Sequence, residues 1–171
     1  MNARLEYLLL PANRAFIAFT LVIAFILDLL PWGARWWMPD FLALVLVFWN
    51  IHQPRKVGIG IAFLFGLLID VHDAALLGEN ALGYSLLSYG AISLHRRVPW
   101  FGMLGKMMHV LPLFLAASLA TIAVRLAVGS GLPGWGPLLS SLTTALLWPV
   151  AELLLLAPQR RAIERDENRP L

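Results

Sequence analysis

Two apolar runs, separated by an acidic turn and bracketed by paired cations, constrain this chain more than any other feature. The first run, Val57 to Ile69, is punctuated by Gly58, Gly60 and Gly66, and the second extends from Ala81 to Leu94. Asp70-Val-His-Asp73 and Gly78-Glu-Asn80 lie in the turn; Arg55-Lys56 precedes the pair and His95-Arg-Arg97 follows it. Cations favour the cytoplasmic side of a membrane, so this pattern predicts an in–out–in hairpin with its turn on the far side.

The rest of the chain agrees with that reading. It is 60% hydrophobic and 13% charged, against roughly 45–50% and about 25% for an average soluble domain. Its 171 residues allow one domain. A net charge of +3 does not point to nucleic acid, because 11 of the 13 Lys and Arg residues fall at expected cytoplasmic ends, where topology and anionic lipid account for them. The chain has no cysteine, which excludes disulfides and thiol chemistry.

Six spans are expected, at about 15–30, 36–52, 57–72, 80–95, 103–128 and 135–158, in one transmembrane domain with both termini cytoplasmic. Arg4 and Arg14 before the first run resemble the start of a signal peptide. No small-x-small cleavage site follows and more spans do, so this segment is expected to remain as an anchor. Trp32, Trp36 and Trp37 mark an interface, and the breaker-rich stretch from Gly129 to Pro137 makes an outer turn. The basic tail, with Arg160, Arg161, Arg165 and Arg169, is cytoplasmic by the charge rule; Arg35 and Arg125 fall outside. Segments two to four supply only about 13–17 apolar residues, or roughly 20–25 Å of helix, for a hydrocarbon core of about 30 Å. Local thinning, helical extension through Asp70 and Asp73, or a turn buried in protein would close the gap. Four spans with re-entrant middle segments is the alternative.

Gly58, Ala62 and Gly66 place small side chains on one stripe of segment three. Such a stripe serves internal packing or receives another protein's helix. Ionisable residues within spans are expensive and normally face protein or water. Here they are Asp28, Asp70, Lys106, His109, Arg125 and Glu152. By depth, Asp28 and Asp70 are within reach of Arg125 or Arg35, and Glu152 of His109 or Lys106. Catalytic signatures are poor: the four histidines lack metal-ligand spacing, Gly83-Tyr-Ser85 has no closing glycine, and no phosphate-cradling loop is present. Asp70-x-x-Asp73 lacks the rest of a lipid phosphatidyltransferase motif. Neither metal nor cofactor is expected, and an enzyme is not.

Pro39 to Trp49, Pro54-Arg-Lys-Val-Gly58, Gly66-Leu-Leu-Ile-Asp70, Leu77-Gly78-x-x-Ala81-Leu82 and Tyr89, in that order and spacing, resemble MreD, the bacterial rod shape-determining membrane protein family. Glu79-Asn80 stands where a glutamine-led pair is common in that family. The resemblance implies an all-α membrane protein, a six-transmembrane-helix bundle similar to the substrate-binding components of energy-coupling-factor vitamin transporters. It implies a non-enzymatic scaffold of the cell-elongation machinery in the bacterial inner membrane. That scaffold binds MreC and helps to position peptidoglycan synthesis, with MreB, RodA and RodA's partner transpeptidase reached through the complex. Gly58, Ala62 and Gly66, or Asp70, Gly78 and Asn80 of the turn, are the candidates for receiving MreC. Asp28, His109, Arg125 and Glu152 are the candidate intramembrane polar residues. The alternative is a small-molecule or lipid-binding module like those transporter components, with a pocket in the outer leaflet framed by Asp28, Asp70 and Asp73.

Overall fold

A computed structural model of the chain describes residues 8–9, 13–31, 37–129, 131 and 134–161. Arg4, Trp32, Arg35, Trp36, Arg165 and Arg169 lie outside the described residues. Seven helices carry the fold: α1 Arg14–Leu29, α2 Phe41–His52, α3 Gly58–His72, α4 Glu79–Leu94, α5 Met103–Ala127, α6 Gly136–Leu146 and α7 Trp148–Leu156. They occupy the apolar segments of the sequence, the sixth being divided at Leu147. Pro149 lies in the first turn of α7, and a proline cannot donate the backbone bond that would continue α6, so the two meet at a 45° bend.

Among the described residues, the charges in the connections and at the helix ends beside them sort to two ends. Arg14, Arg55-Lys56 and Arg96-Arg97 flank one end of the bundle; Asp28, Asp40, Asp70, Asp73 and Glu79 gather at the other. A two-residue antiparallel ladder pairs β1, Leu8–Leu9, with β2, Arg160–Arg161, at the basic end.

Helix α2 is the centre. Of its 12 residues, Leu42, Ala43, Leu44 and the whole stretch from Leu46 to Ile51 are buried. It packs against α1, α4, α6 and α7. Phe48 and Trp49 form its aromatic floor, Trp49 edge-on to Phe16 of α1 at 5.9 Å and Phe48 tilted against Trp148 of α7 at 6.0 Å. Two polar links cross this core: Trp49 Nε1 donates to Thr20 Oγ1 (2.9 Å) and Asn50 Nδ2 to Ser88 Oγ (3.0 Å). Large apolar side chains meanwhile face outward on every other helix, among them Phe19, Leu64, Tyr89, Met108, Leu142 and Leu154.

Among the described residues α5 is the helix long and apolar enough to cross a membrane by itself, and α6 with α7 passes as a bent pair. The helices α1 to α4 have 16, 12, 15 and 16 residues, or about 18–24 Å at 1.5 Å per residue. Length therefore does not establish six spans. Helix α3 does continue through Asp70 to His72, and it stops at Asp73, beyond which Ala74 has a left-handed φ of 49°.

Candidate functional site

The acidic end holds most of the polar chemistry, and its carboxylates are first of all structural. The opening backbone N–H groups of a helix have no partner within it, and in an apolar setting they must find one. Asp28, near the end of α1, supplies both carboxylate oxygens to the start of α2, accepting from Phe41 N (3.0 Å) and Leu42 N (2.7 Å). Asp70, near the end of α3, does the same for α4: Gly78 N (2.8 Å), Asn80 N (2.7 Å) and Ala81 N (3.4 Å) all donate to it. One device thus closes both hairpins, a side-chain carboxyl accepting at the positive end of the following helix dipole.

Around these caps lies a crevice of about 770 Å³, lined by Asp28, Met38, Asp40, His72, Asp73 and Tyr84. Asp40 caps its own helix through Ala43 N (2.7 Å) and accepts from Tyr84 Oη at 2.8 Å. Its backbone N–H donates to Thr144 Oγ1 (2.9 Å), tying the α1–α2 connection to α6. Asp40, Asn80 and Tyr84 also wall a second cavity of about 180 Å³, which reaches between α4, α5 and α6 to Glu79, Ser118 and Arg125. The two spaces share a wall and together make a polar recess in an otherwise apolar bundle.

Helix α5 borders this recess and is fastened at both ends by ion pairs. Near its C-terminus Arg125 pairs with Glu79 in the first turn of α4; near its N-terminus Lys106 pairs with Glu152 of α7. Trp148 Nε1 donates to the second Glu152 oxygen (3.2 Å). Between the two pairs, Ser118 and Ser141 join α5 to α6 through their hydroxyls at 2.7 Å.

The sequence candidates fall into distinct places. Asp28 and Asp70 meet backbone donors, whereas Arg125 meets Glu79, which sequence reasoning did not consider as its partner. Glu152 meets Lys106; His109 instead contacts the Gly105 carbonyl (2.7 Å) and stacks on Phe101 at 4.3 Å. The stripe on α3 is largely filled from within: Ala62 is buried, and a Cβ on Gly66 would stand 2.4 Å from Ala81 Cα of α4. Gly58 begins α3 at φ 67°, with open space where a Cβ would point. Gly78 caps α4 at φ 100°, a conformation that favours glycine. Asn80 lines both cavities. Asp40 and Tyr84 are the functional candidates that sequence reasoning missed, although Pro39-Asp40 before an apolar run is a helix-start signal. Among the described residues no three His, Asp or Glu side chains group as a metal would require.

Residues 12–157 match the family model described as rod shape-determining protein MreD. The chain is also 33% identical over 146 residues to the rod shape-determining protein MreD of Haemophilus influenzae, an alignment covering 82% of this chain and 88% of that protein. No solved structure matches it.

Proposed function

Because the chain belongs to the MreD family of rod shape-determining proteins, we propose that it acts in rod-shape determination as a non-catalytic scaffold of the bacterial inner membrane. One observation carries the membrane part of this reading: the bundle is apolar on its outside as well as in its core. Asp70, Glu79, Glu152, Asn50 and Ser88 are buried, while large apolar side chains cover six of the seven helices. Monomeric soluble proteins rarely expose contiguous apolar surface on this scale, whereas a lipid-facing surface requires it. In this reading α1 to α5 each cross once and α6–α7 cross together as the sixth span, with the basic end cytoplasmic. The ladder that holds residues 8–9 beside residues 160–161 at the basic end supports an even number of crossings between them.

MreC is the partner this scaffold holds, and through it the peptidoglycan synthases. Ala62 and Gly66 are taken up by the chain's own packing, so the α3–α4 turn is the better docking place. Its caps turn inward, leaving Val71 and Leu77 67% and 74% exposed beside the exposed Asp73. Replacing both with aspartate should abolish co-purification of MreC while the protein still inserts. Undiminished co-purification would place the interface elsewhere.

The recess at the acidic end favours a second reading, a small-molecule-binding module resembling the vitamin-transporter components. Arg125, Glu79, Asp40 and Tyr84 give it a mixed-charge lining suited to a small polar ligand. Native mass spectrometry of the purified protein distinguishes the readings, since a retained small molecule lost in Tyr84→Phe supports this one.

A further inference from the structure

The smaller space at the acidic end, the cavity of about 180 Å³ between α4, α5 and α6, has a lining of two kinds. Asp40, Asn80 and Arg125 are polar, whereas Leu87, Phe114 and Ile122 are apolar. Most other polar groups around it are bonded within the protein. Ser118 meets Ser141, Thr121 Oγ1 donates to the Ser118 carbonyl (2.9 Å) and Thr144 Oγ1 to the Ser140 carbonyl (2.7 Å). Three groups keep capacity to spare. Arg125 gives Nε to Glu79, and its two terminal nitrogens meet no acceptor among the described residues. The side-chain amide of Asn80 bonds none of them either; only its backbone N–H is held, by Asp70. Asp40 accepts one bond at each oxygen, from Ala43 N and Tyr84 Oη, where a carboxylate accepts about four.

We propose that this cavity binds a small zwitterion, an amino acid with a short apolar side chain. Its carboxylate meets the terminal nitrogens of Arg125, and its ammonium lies between Asp40 and the amide oxygen of Asn80. Its side chain rests against Leu87, Phe114 and Ile122. A zwitterion supplies an acceptor and a donor together, and it adds no net charge to surroundings where an unpaired charge is costly. A ligand with an anion alone leaves Asp40 without a counterpart, and one with a cation alone leaves Arg125 without one. The dipole of α5 accounts for a cation in its last turn. It does not account for that cation sharing one cavity with a carboxylate from another helix and an amide that no protein group engages.

This inference rests on the small-molecule reading of the recess and names the class of ligand. Its test titrates L-leucine into the full chain in nanodiscs by calorimetry, beside L-leucinamide, which lacks the carboxylate, and isocaproate, which lacks the amine. L-leucine should bind saturably, and each analogue at least roughly tenfold more weakly, as loss of a charge-assisted bond implies. Asn80→Ala should weaken leucine binding roughly fivefold, the effect of one neutral hydrogen bond. It should leave the unfolding midpoint unchanged, because that side chain holds no described residue in place. An analogue that binds as tightly as leucine overturns the proposal, as does unaltered leucine binding in Asn80→Ala. Failure of leucine to bind, with native mass spectrometry finding another small molecule that Tyr84→Phe releases, overturns the zwitterion and leaves the recess reading standing. Failure of leucine with no retained molecule overturns both.

Discussion

At the scale of single residues, Asp70 shows how a carboxylate becomes part of the backbone. It is fully buried, and its oxygens receive three N–H groups from the start of α4. Removing the acceptor leaves one buried and two part-buried donors without partners, a buried one being worth about 1–3 kcal/mol. Asp70→Ala should therefore lower stability by roughly 3 kcal/mol in a detergent thermal-unfolding assay. Asp73→Ala, an exposed change three residues on, should alter it by less than about 0.5 kcal/mol. Equal effects would show that the cap contributes little.

Among the elements, the interfaces of α4 differ in how much they can yield. Gly66 faces the backbone of Ala81, whereas Gly90 faces the side-chain tip of Leu113, where a Cβ would also come within 2.4 Å. Backbone cannot step aside as a leucine methyl can. Gly66→Ala should therefore destabilise by about 3 kcal/mol and Gly90→Ala by about 1 kcal/mol, within the usual range for overpacking. Comparing the two unfolding midpoints checks this. Helix α5 tests another kind of contact, since it buries only Val110 and Phe114 and relies on ion pairs at its ends. Lys106 and Glu152 have side chains 15% and 7% exposed, so breaking the pair strands a desolvated charge. Glu152→Gln alone should cost about 3 kcal/mol, and Lys106→Met with Glu152→Leu together should cost less than that single change. A double variant less stable than Glu152→Gln would contradict it.

For the whole molecule, the separation of charge between the two ends makes a topological prediction. Single cysteines at positions 73 and 77 should react with an impermeant reagent in intact spheroplasts, and those at 55 and 96 only after the membrane is opened. All four positions lie at exposed ends of helices or in turns, so burial does not confuse the result. Reactivity of 73 from the cytoplasm alone would invert the orientation.

Much of this architecture could be read along the chain because it is local. Apolar runs, their breakers at Pro54, Gly129 and Pro137, and the opposite charges of Arg55-Lys56 and Asp70-Asp73 belong to each segment whatever its neighbours are. The order of motifs from Pro39 to Tyr89 was likewise enough for the family. Which groups meet was decided only by the tertiary structure. Each successive residue turns by about 100° around a helix axis, so the partner of a side chain depends on how that helix is rotated and on what stands beside it. Depth alone brought Arg125 level with Asp28 and Asp70, but rotation gave it to Glu79. It also made α2, not the more conspicuous hairpin, the centre of the bundle, and drew Asp40 and Tyr84 together across 44 residues of chain.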